Sequence, residues 1–480
     1  MYTDLRLQAN RPVYLQIRDY IKELILQGML PAGSRLPATR ELAAILKVSR
    51  NSVILAYQYL EDDGFIHTIR GRGAFVNAAP VKTGAGLELD WVERASDLAK
   101  KAVTLDIEKN ELKWVKGLIS FKSIAPDEKL FGMEEFKRAF LNRIALNGEK
   151  LLNYGYAKGY KPLAEFLMQY MKNKGVDPSG KDILVTNGFT EAFHLTLLAL
   201  TSPGETVVCE NPTHNTALKM MRLSNLNILG VPMTESGIDL DKLAAALSRE
   251  KVKLGYLIPS YHNPTGLVMP LEKRLAVVEL FARRRVPVVE DGFNEELKFS
   301  GSHVAPLLAL AGAGNGLVFL GSFSKILFPG LRIGWVMGDS RFISVLESIK
   351  RSINIHTSTL DQAVLFEYLQ SGQFEKYLRK ARAVYKKRYE TAVALAQKYI
   401  PCKKIWGEGG LHIFIELEGI EARKVLAACY QKGVLFLPGD IFFTDGGGWN
   451  TFRLGISRVD LPEMEQGFRI IGETVKSLAN

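Results

Sequence analysis

In LVFLGSFSKILFPGLRIGWV, residues 317–336, an apolar β-prone run ends by delivering Ser322, Ser324 and Lys325 to a strand terminus, with Arg332 seven residues beyond the lysine. A lysine at the end of a buried strand is half buried. Burial disfavours the ammonium and lowers its pKa, which suits a neutral amine that forms a Schiff base. Two hydroxyls and a guanidinium close by suit a phosphate. Upstream, the apolar run VPVVED, 286–291, ends in Glu290 and Asp291, and a carboxylate at a strand end supplies the counter-charge that a pyridinium nitrogen needs. Lysine, carboxylate and phosphate site together imply pyridoxal phosphate.

Outward from this stretch the same texture continues. DILVT (182–186), ETVVC (205–209) and LGYLIP (254–259) alternate with helical stretches of about ten to twenty residues, the pattern of an α/β domain with a mostly parallel buried sheet. The texture changes over residues 78–115, rich in Ala, Gly, Lys and Glu and broken by Pro80, Gly84 and Gly86, which we read as a linker. The expected organisation is therefore 1–77, a linker at 78–115, and a large domain at 116–480. The 480 residues suit two or three domains, and 47% hydrophobic with 24% charged residues excludes a mostly disordered chain. Cys209, Cys402 and Cys429 stand far apart with no CxxC, which argues against a disulfide framework or a zinc knuckle, and no metal site is expected. No apolar signal core or membrane-length run is present, so the expectation is a cytoplasmic protein with no membrane partner. With 62 basic and 51 acidic residues the net charge is +11, which permits a polyanion partner without locating it.

In the first 77 residues, PVYLQIRDYIKELILQ (12–27) repeats apolar residues at Val13, Ile17, Ile21, Leu24 and Ile25 and stops at Gly28, an amphipathic helix. A short helix over 38–46 is followed by the turn Lys47–Val48–Ser49, and Ser49 supplies an N-cap for the helix starting RNSV. This is helix-turn-helix spacing, with Val53, Ala56, Tyr57 and Leu60 on the packed face and Arg50, Asn51 and Ser52 at the end that enters a major groove. FIHTIRGRGAFV reads as two strands around a tight turn whose arginines form a basic wing. RLPATR (35–40), ELAAILKVSRNSV and GRGAFV together resemble the winged helix of GntR-type bacterial regulators. The resemblance implies that Arg40, Ser49, Arg50, Asn51 and Ser52 contact phosphates and base edges of a double-stranded DNA operator, with Arg70, Gly71, Arg72 and Gly73 as the wing. Ile54 departs from the family, many of whose members carry another arginine there. The bland alternative is a three-helix packing module, since ten basic and seven acidic residues give this segment only +3.

Residues 116–477 resemble a fold-type I, class I aminotransferase. The resemblance implies that Lys325 forms the internal aldimine, Asp291 pairs with the pyridinium, and Asn263 of NPTG donates to the phenolic oxygen. It further implies that Ser322, Ser324 and Arg332 hold the phosphate with the amides of Gly188, Phe189 and Thr190, and that Arg453 of TFRLGIS clamps a substrate carboxylate. Tyr154, or alternatively Tyr156, would reach the phosphate site of a neighbouring subunit, which requires a homodimer. Two positions depart from the pattern. Phe293 stands where most relatives have a tyrosine, and a phenyl ring cannot donate that hydrogen bond. His214 stands where an aromatic ring stacks on the pyridine; it either stacks as a titratable imidazole or is loop filling. His262 reads as a polar loop residue with no proton-transfer role.

A winged helix, a linker and an aminotransferase-like domain in this order resemble the MocR subfamily of bacterial transcription regulators. The expected function is a regulator that senses pyridoxal phosphate or an amino acid at Lys325; the alternative is a working aminotransferase with an accessory winged helix.

Overall fold

The computed structural model describes residues 2–78, 88–107, 115–292, 295–299 and 304–479. The chain parts into two compact units, residues 1–94 and 95–480.

In the smaller unit, α1 (Val13–Leu26), α2 (Thr39–Leu46) and α3 (Arg50–Asp62) are followed by the antiparallel hairpin of β1 (Ile66–Ile69) and β2 (Gly73–Val76). The 3.6-residue repeat buries Ile17, Ile21, Leu24 and Ile25 of α1 against Leu42, Val53, Ala56, Tyr57 and Leu60. Lys47 closes α2 in the left-handed conformation at φ 53°, and the Ser49 side chain caps α3 by accepting from the Ser52 amide at 3.1 Å. Gly71, at φ 79°, makes the hairpin turn between the two wing arginines.

The larger unit is built on an eight-stranded sheet. After the short β3 (Ile119–Ser120) come β4 (Lys181–Thr186), β5 (Thr206–Asn211), β6 (Asn227–Thr234), β7 (Gly237–Ile238), β8 (Val252–Leu257), β9 (Val288–Asp291), β10 (Leu317–Ser322) and β11 (Gly334–Asp339). Their order across the sheet is β4-β11-β10-β9-β8-β5-β6-β7, parallel from β10 to β6, with β11 antiparallel to both its neighbours and β7 antiparallel to β6. Successive side chains enter different cores: Ile183, Val185, Leu317, Phe319 and Trp335 pack on one face, and Leu184, Val318, Leu320 and Val336 on the other. Both faces are thus covered, which explains strands that read as unbroken apolar runs. A second, antiparallel sheet follows from β12 (Lys404–Trp406), β13 (His412–Glu416), β15 (Leu437–Pro438) and β16 (Thr451–Gly455), while β14 (Val434–Leu435) pairs with β3.

Within the expected linker, Pro80, Gly84 and Gly86 lie outside the described residues. Asp97–Thr104 is a helix, and Lys101 Nζ donates to Asn225 Oδ1 at 2.7 Å, so this part of the segment packs on the larger unit. Among the described residues no helix is long and apolar enough to cross a membrane, and no group of His, Cys, Asp or Glu is arranged to hold a metal.

Candidate cofactor site and DNA interface

The C-terminal ends of β4, β5, β9 and β10 converge on one edge of the large sheet, the place where open α/β sheets bind ligands. There a cavity of about 180 Å3 is lined by Phe189, Thr190, His214, Asp291, Ser322, Ser324, Lys325 and Arg332, with Thr216, Gly292 and Pro329. Eight residues singled out from sequence therefore meet around one space.

Burial, reinforced by the positive charges of Arg453, Arg332 and Arg458, brings the Lys325 amine down to about 8. The cavity thus raises the neutral fraction of this lysine far above that of a solvated one at the same pH. Asp291, at the end of β9, is buried and accepts from the Tyr256 hydroxyl at 2.7 Å. Glu290 points away: it accepts the amides of Leu307 and Leu308 at 2.8 and 2.9 Å, and burial raises its pKa to about 7. The period-two alternation of the strand settles which of the two carboxylates faces the cavity.

Beside the cavity, Arg332 donates to the Asn187 carbonyl at 3.1 Å and leans on Ser324 Oγ at 3.5 Å. The helix Gly188–Leu200 begins at this point, and its first amides have no intrahelical acceptors. Gly188 has φ 75°, and a Cβ there would stand 3.0 Å from Arg332 Nη2. Glycine keeps this cradle open, and the cradle's chemistry, free amides with hydroxyls and a guanidinium, is that of a phosphate site.

Asn263 and Arg453 are buried together, with Arg453 Nη1 donating to Asn263 Oδ1 at 2.7 Å and Nη2 to the Lys122 carbonyl at 3.2 Å. Burial lowers the Arg453 guanidinium to about 9. Among the described residues Asn263 Nδ2 and Arg453 Nε have no acceptor, and buried donors of this kind are costly unless something else satisfies them. Donors beside a lysine, a carboxylate and a phosphate cradle fit pyridoxal phosphate, with Asp291 for its pyridinium and Lys325 for its aldehyde.

His214 lies 5.2 Å from the Phe189 ring, at 46°. Burial, then Arg453, Lys325 and His262, push its pKa down to about 3, so the ring is neutral and does not titrate near neutrality. His262 is a loop residue, as its sequence position indicates, and it is buried, with Nδ1 2.9 Å from Thr265 Oγ1 and Nε2 3.4 Å from the buried Glu210. Thr265 meets Nδ1, whereas Nε2 has no hydrogen-bond partner among the described residues. Tyr154 and Tyr156 are both exposed and neither lines the cavity of their own chain. Phe293 lies outside the described residues.

In the smaller unit Arg40, Arg50, Asn51, Arg70, Gly71 and Arg72 are exposed, and Gly73 is half-buried where β2 begins. Arg50 Nε reaches Thr39 Oγ1 at 3.5 Å. Ser49 and Ser52 share a hydrogen bond at 2.8 Å, so these hydroxyls hold the start of α3 and leave Arg50 and Asn51 to face outward. The α3 N-terminus and the wing thus offer solvated cations and free amides, the chemistry of a phosphate backbone and of guanine edges.

Residues 125–471 match the family model for aminotransferase class I and II. The chain belongs to that family. Residues 13–76 match the bacterial regulatory proteins of the gntR family, so an aminotransferase domain is fused to a GntR DNA-binding module. A solved structure of LysN, the alpha-aminoadipate aminotransferase of Thermus thermophilus, complexed with N-(5'-phosphopyridoxyl)-L-leucine, is 32% identical. It superposes with a TM-score of 0.74 over 82% of this chain and 99% of that one. The whole architecture recurs in the uncharacterized HTH-type transcriptional regulator YdfD of Bacillus subtilis, 28% identical over 98% of this chain and 97% of the relative. It recurs again in the probable rhizopine catabolism regulatory protein MocR of Rhizobium meliloti, 25% identical over 96% and 93%. The fusion is thus the architecture of the MocR regulators.

Sequence reasoning missed Tyr256, whose hydroxyl holds Asp291. A tyrosine inside the apolar run LGYLIP was the available signal, because a buried phenol needs a partner.

Proposed function

We propose that this chain is a cytoplasmic transcription regulator that binds operator DNA through α3 and the wing and senses pyridoxal phosphate, alone or with an amino acid, in the aminotransferase domain. The observation that carries the proposal is one chain holding both solvated arginines at a helix-turn-helix and a depressed-pKa lysine in a phosphate cradle. Domain limits of 1–77, 78–115 and 116–480 go with this reading.

When bound, pyridoxal phosphate supplies an electrophilic aldehyde and an electron-accepting ring. The chain's residues do the rest. Lys325 would present its amine to the aldehyde. Ser322, Ser324, Arg332 and the amides at Gly188, Phe189 and Thr190 fix the phosphate. Asp291, oriented by Tyr256, would pair with the ring nitrogen, Asn263 would donate to the phenolic oxygen, and His214 would stand at the ring site as a neutral imidazole. Arg453 takes the carboxylate of an amino acid, which selects amino acids over simple amines. A ligand that favours one arrangement of the domain shifts the population competent to bind DNA by its differential affinity.

A homodimer completes the proposal. Leu141, Leu146, Leu152, Tyr154 and Tyr156 expose an apolar surface, and a second copy covering it would bring Tyr154 to its neighbour's phosphate and place two winged helices on two half-sites.

A second reading, full transamination, is favoured by the presence of both Lys325 and Arg453. Visible absorption of the purified protein with pyridoxal phosphate, before and after a panel of amino acids, separates the two. A persistent shift without keto acid supports a sensor; conversion of the cofactor with keto acid accumulating supports an enzyme. Failure to bind a promoter fragment above nonspecific DNA ends the regulator proposal.

A further inference from the structure

Behind the phosphate cradle lies a partly buried polar cluster that the proposed chemistry leaves unused. Glu191, in the first turn of the helix Gly188–Leu200, accepts the Asn187 amide at 2.6 Å and the Asn187 side-chain amide at 3.2 Å. It also accepts Asn354 Nδ2 at 2.7 Å. Lys350, which has no exposed surface, stands 3.8 Å from Glu191 and donates to the Val185 carbonyl at 3.0 Å and Thr357 Oγ1 at 2.7 Å. Asn187 in turn offers its carbonyl to Arg332.

A carboxylate in this turn raises a physical question, because it repels the very anion that the helix N-terminus attracts. Its partners answer it. Lys350 offsets the charge, and both carboxylate oxygens are occupied by donors on Asn187 and Asn354. Gripped through its amide and its side chain, Asn187 has its carbonyl fixed in one direction, and that carbonyl holds the Arg332 guanidinium 3.1 Å away. The Glu191 grip also uses up the Asn187 amide, so the anion is left to the amides that follow it.

We infer that Glu191, braced by Lys350 and Asn354, is a positioning residue that aims Arg332 and the first free amides of the helix at the cofactor's phosphate. It acts through Asn187 and touches no ligand. The inference rests on the reading that this cradle holds pyridoxal phosphate.

The test compares two probes on the full-length protein, pyridoxal phosphate and pyridoxal, which differ only in the phosphate. Affinity is read from the visible band, with Lys325→Ala as the baseline. In Glu191→Gln an amide NH2 faces the donors of Asn187 or Asn354. Pyridoxal phosphate is expected to bind about ten-fold more weakly, the size of one degraded charge-assisted hydrogen bond, while pyridoxal changes less than about two-fold. Asn354→Ala, which removes one brace from a half-buried position, shifts the same ratio by less and decides the matter if Glu191→Gln does not fold. Equal weakening of both probes, or an unchanged ratio, overturns the inference and leaves the cofactor reading standing. A wild-type protein with no band above the baseline overturns both.

Discussion

Arg50 and Arg453 are the same residue in opposite surroundings. Arg50 is exposed at the start of α3, whereas Arg453 is 4% exposed and its guanidinium is lowered to about 9 by burial. A solvated arginine keeps its charge at little cost and attracts a polyanion over a distance that salt controls. A desolvated one is held in place by Asn263 and the Lys122 carbonyl and is barely screened, so in the proposed role it would accept a carboxylate in one orientation. The DNA surface should therefore be soft to ionic strength and tolerant of conservative change, and the cavity the reverse.

The largest effect expected from breaking this contrast is at Lys325. Lys325→Ala removes the visible band with pyridoxal phosphate altogether, while promoter binding without effector, followed by gel shift, stays within about two-fold of the wild type. Next comes Arg50→Ala, which should weaken specific promoter binding by about 1–3 kcal/mol, roughly five- to 150-fold, with an unchanged cofactor spectrum. Equal loss of spectrum and DNA binding would show that Arg50 supports the fold instead of reading DNA.

The pH dependence is a third discriminator. Because the folded Lys325 amine is lowered from 10.5 to about 8, the neutral form gains about ten-fold per pH unit below 8 and levels off above it. The initial rate of cofactor capture, measured by stopped-flow absorbance from pH 6 to 9.5, should follow that curve. A rate still climbing ten-fold per unit at pH 9.5 would mean the amine is not desolvated. The smallest effect belongs to the small unit: Ser49→Ala removes the α3 cap and should cost about 1 kcal/mol of stability, seen as a lower Tm of residues 1–77 within the full chain.

The winged helix was legible almost to the residue, since its signals are local: helical periodicity, an N-cap serine and a glycine turn each act within a few positions. The strands of the large sheet and the lysine at the end of β10 were legible for the same reason. What sequence left open was direction and partnership. VPVVED offers two adjacent carboxylates, and only the folded sheet turns Asp291 to the cavity and Glu290 to the amides of Leu307 and Leu308. A loop histidine such as His262 carries no local sign of burial, yet it is buried and stands 3.4 Å from Glu210, far earlier in the chain. The Lys350 and Glu191 pairing spans a still longer gap, and no local pattern encodes it.

Gly188 carries a consequence for heredity. Its positive φ and the nearness of Arg332 mean that any other side chain crowds the phosphate cradle, whereas α3 and the wing are encoded elsewhere in the chain. If the proposed effector acts through this cradle, a genetic screen for strains whose promoter no longer answers it should keep returning alleles at this codon, each one deaf to the signal and still able to find its operator.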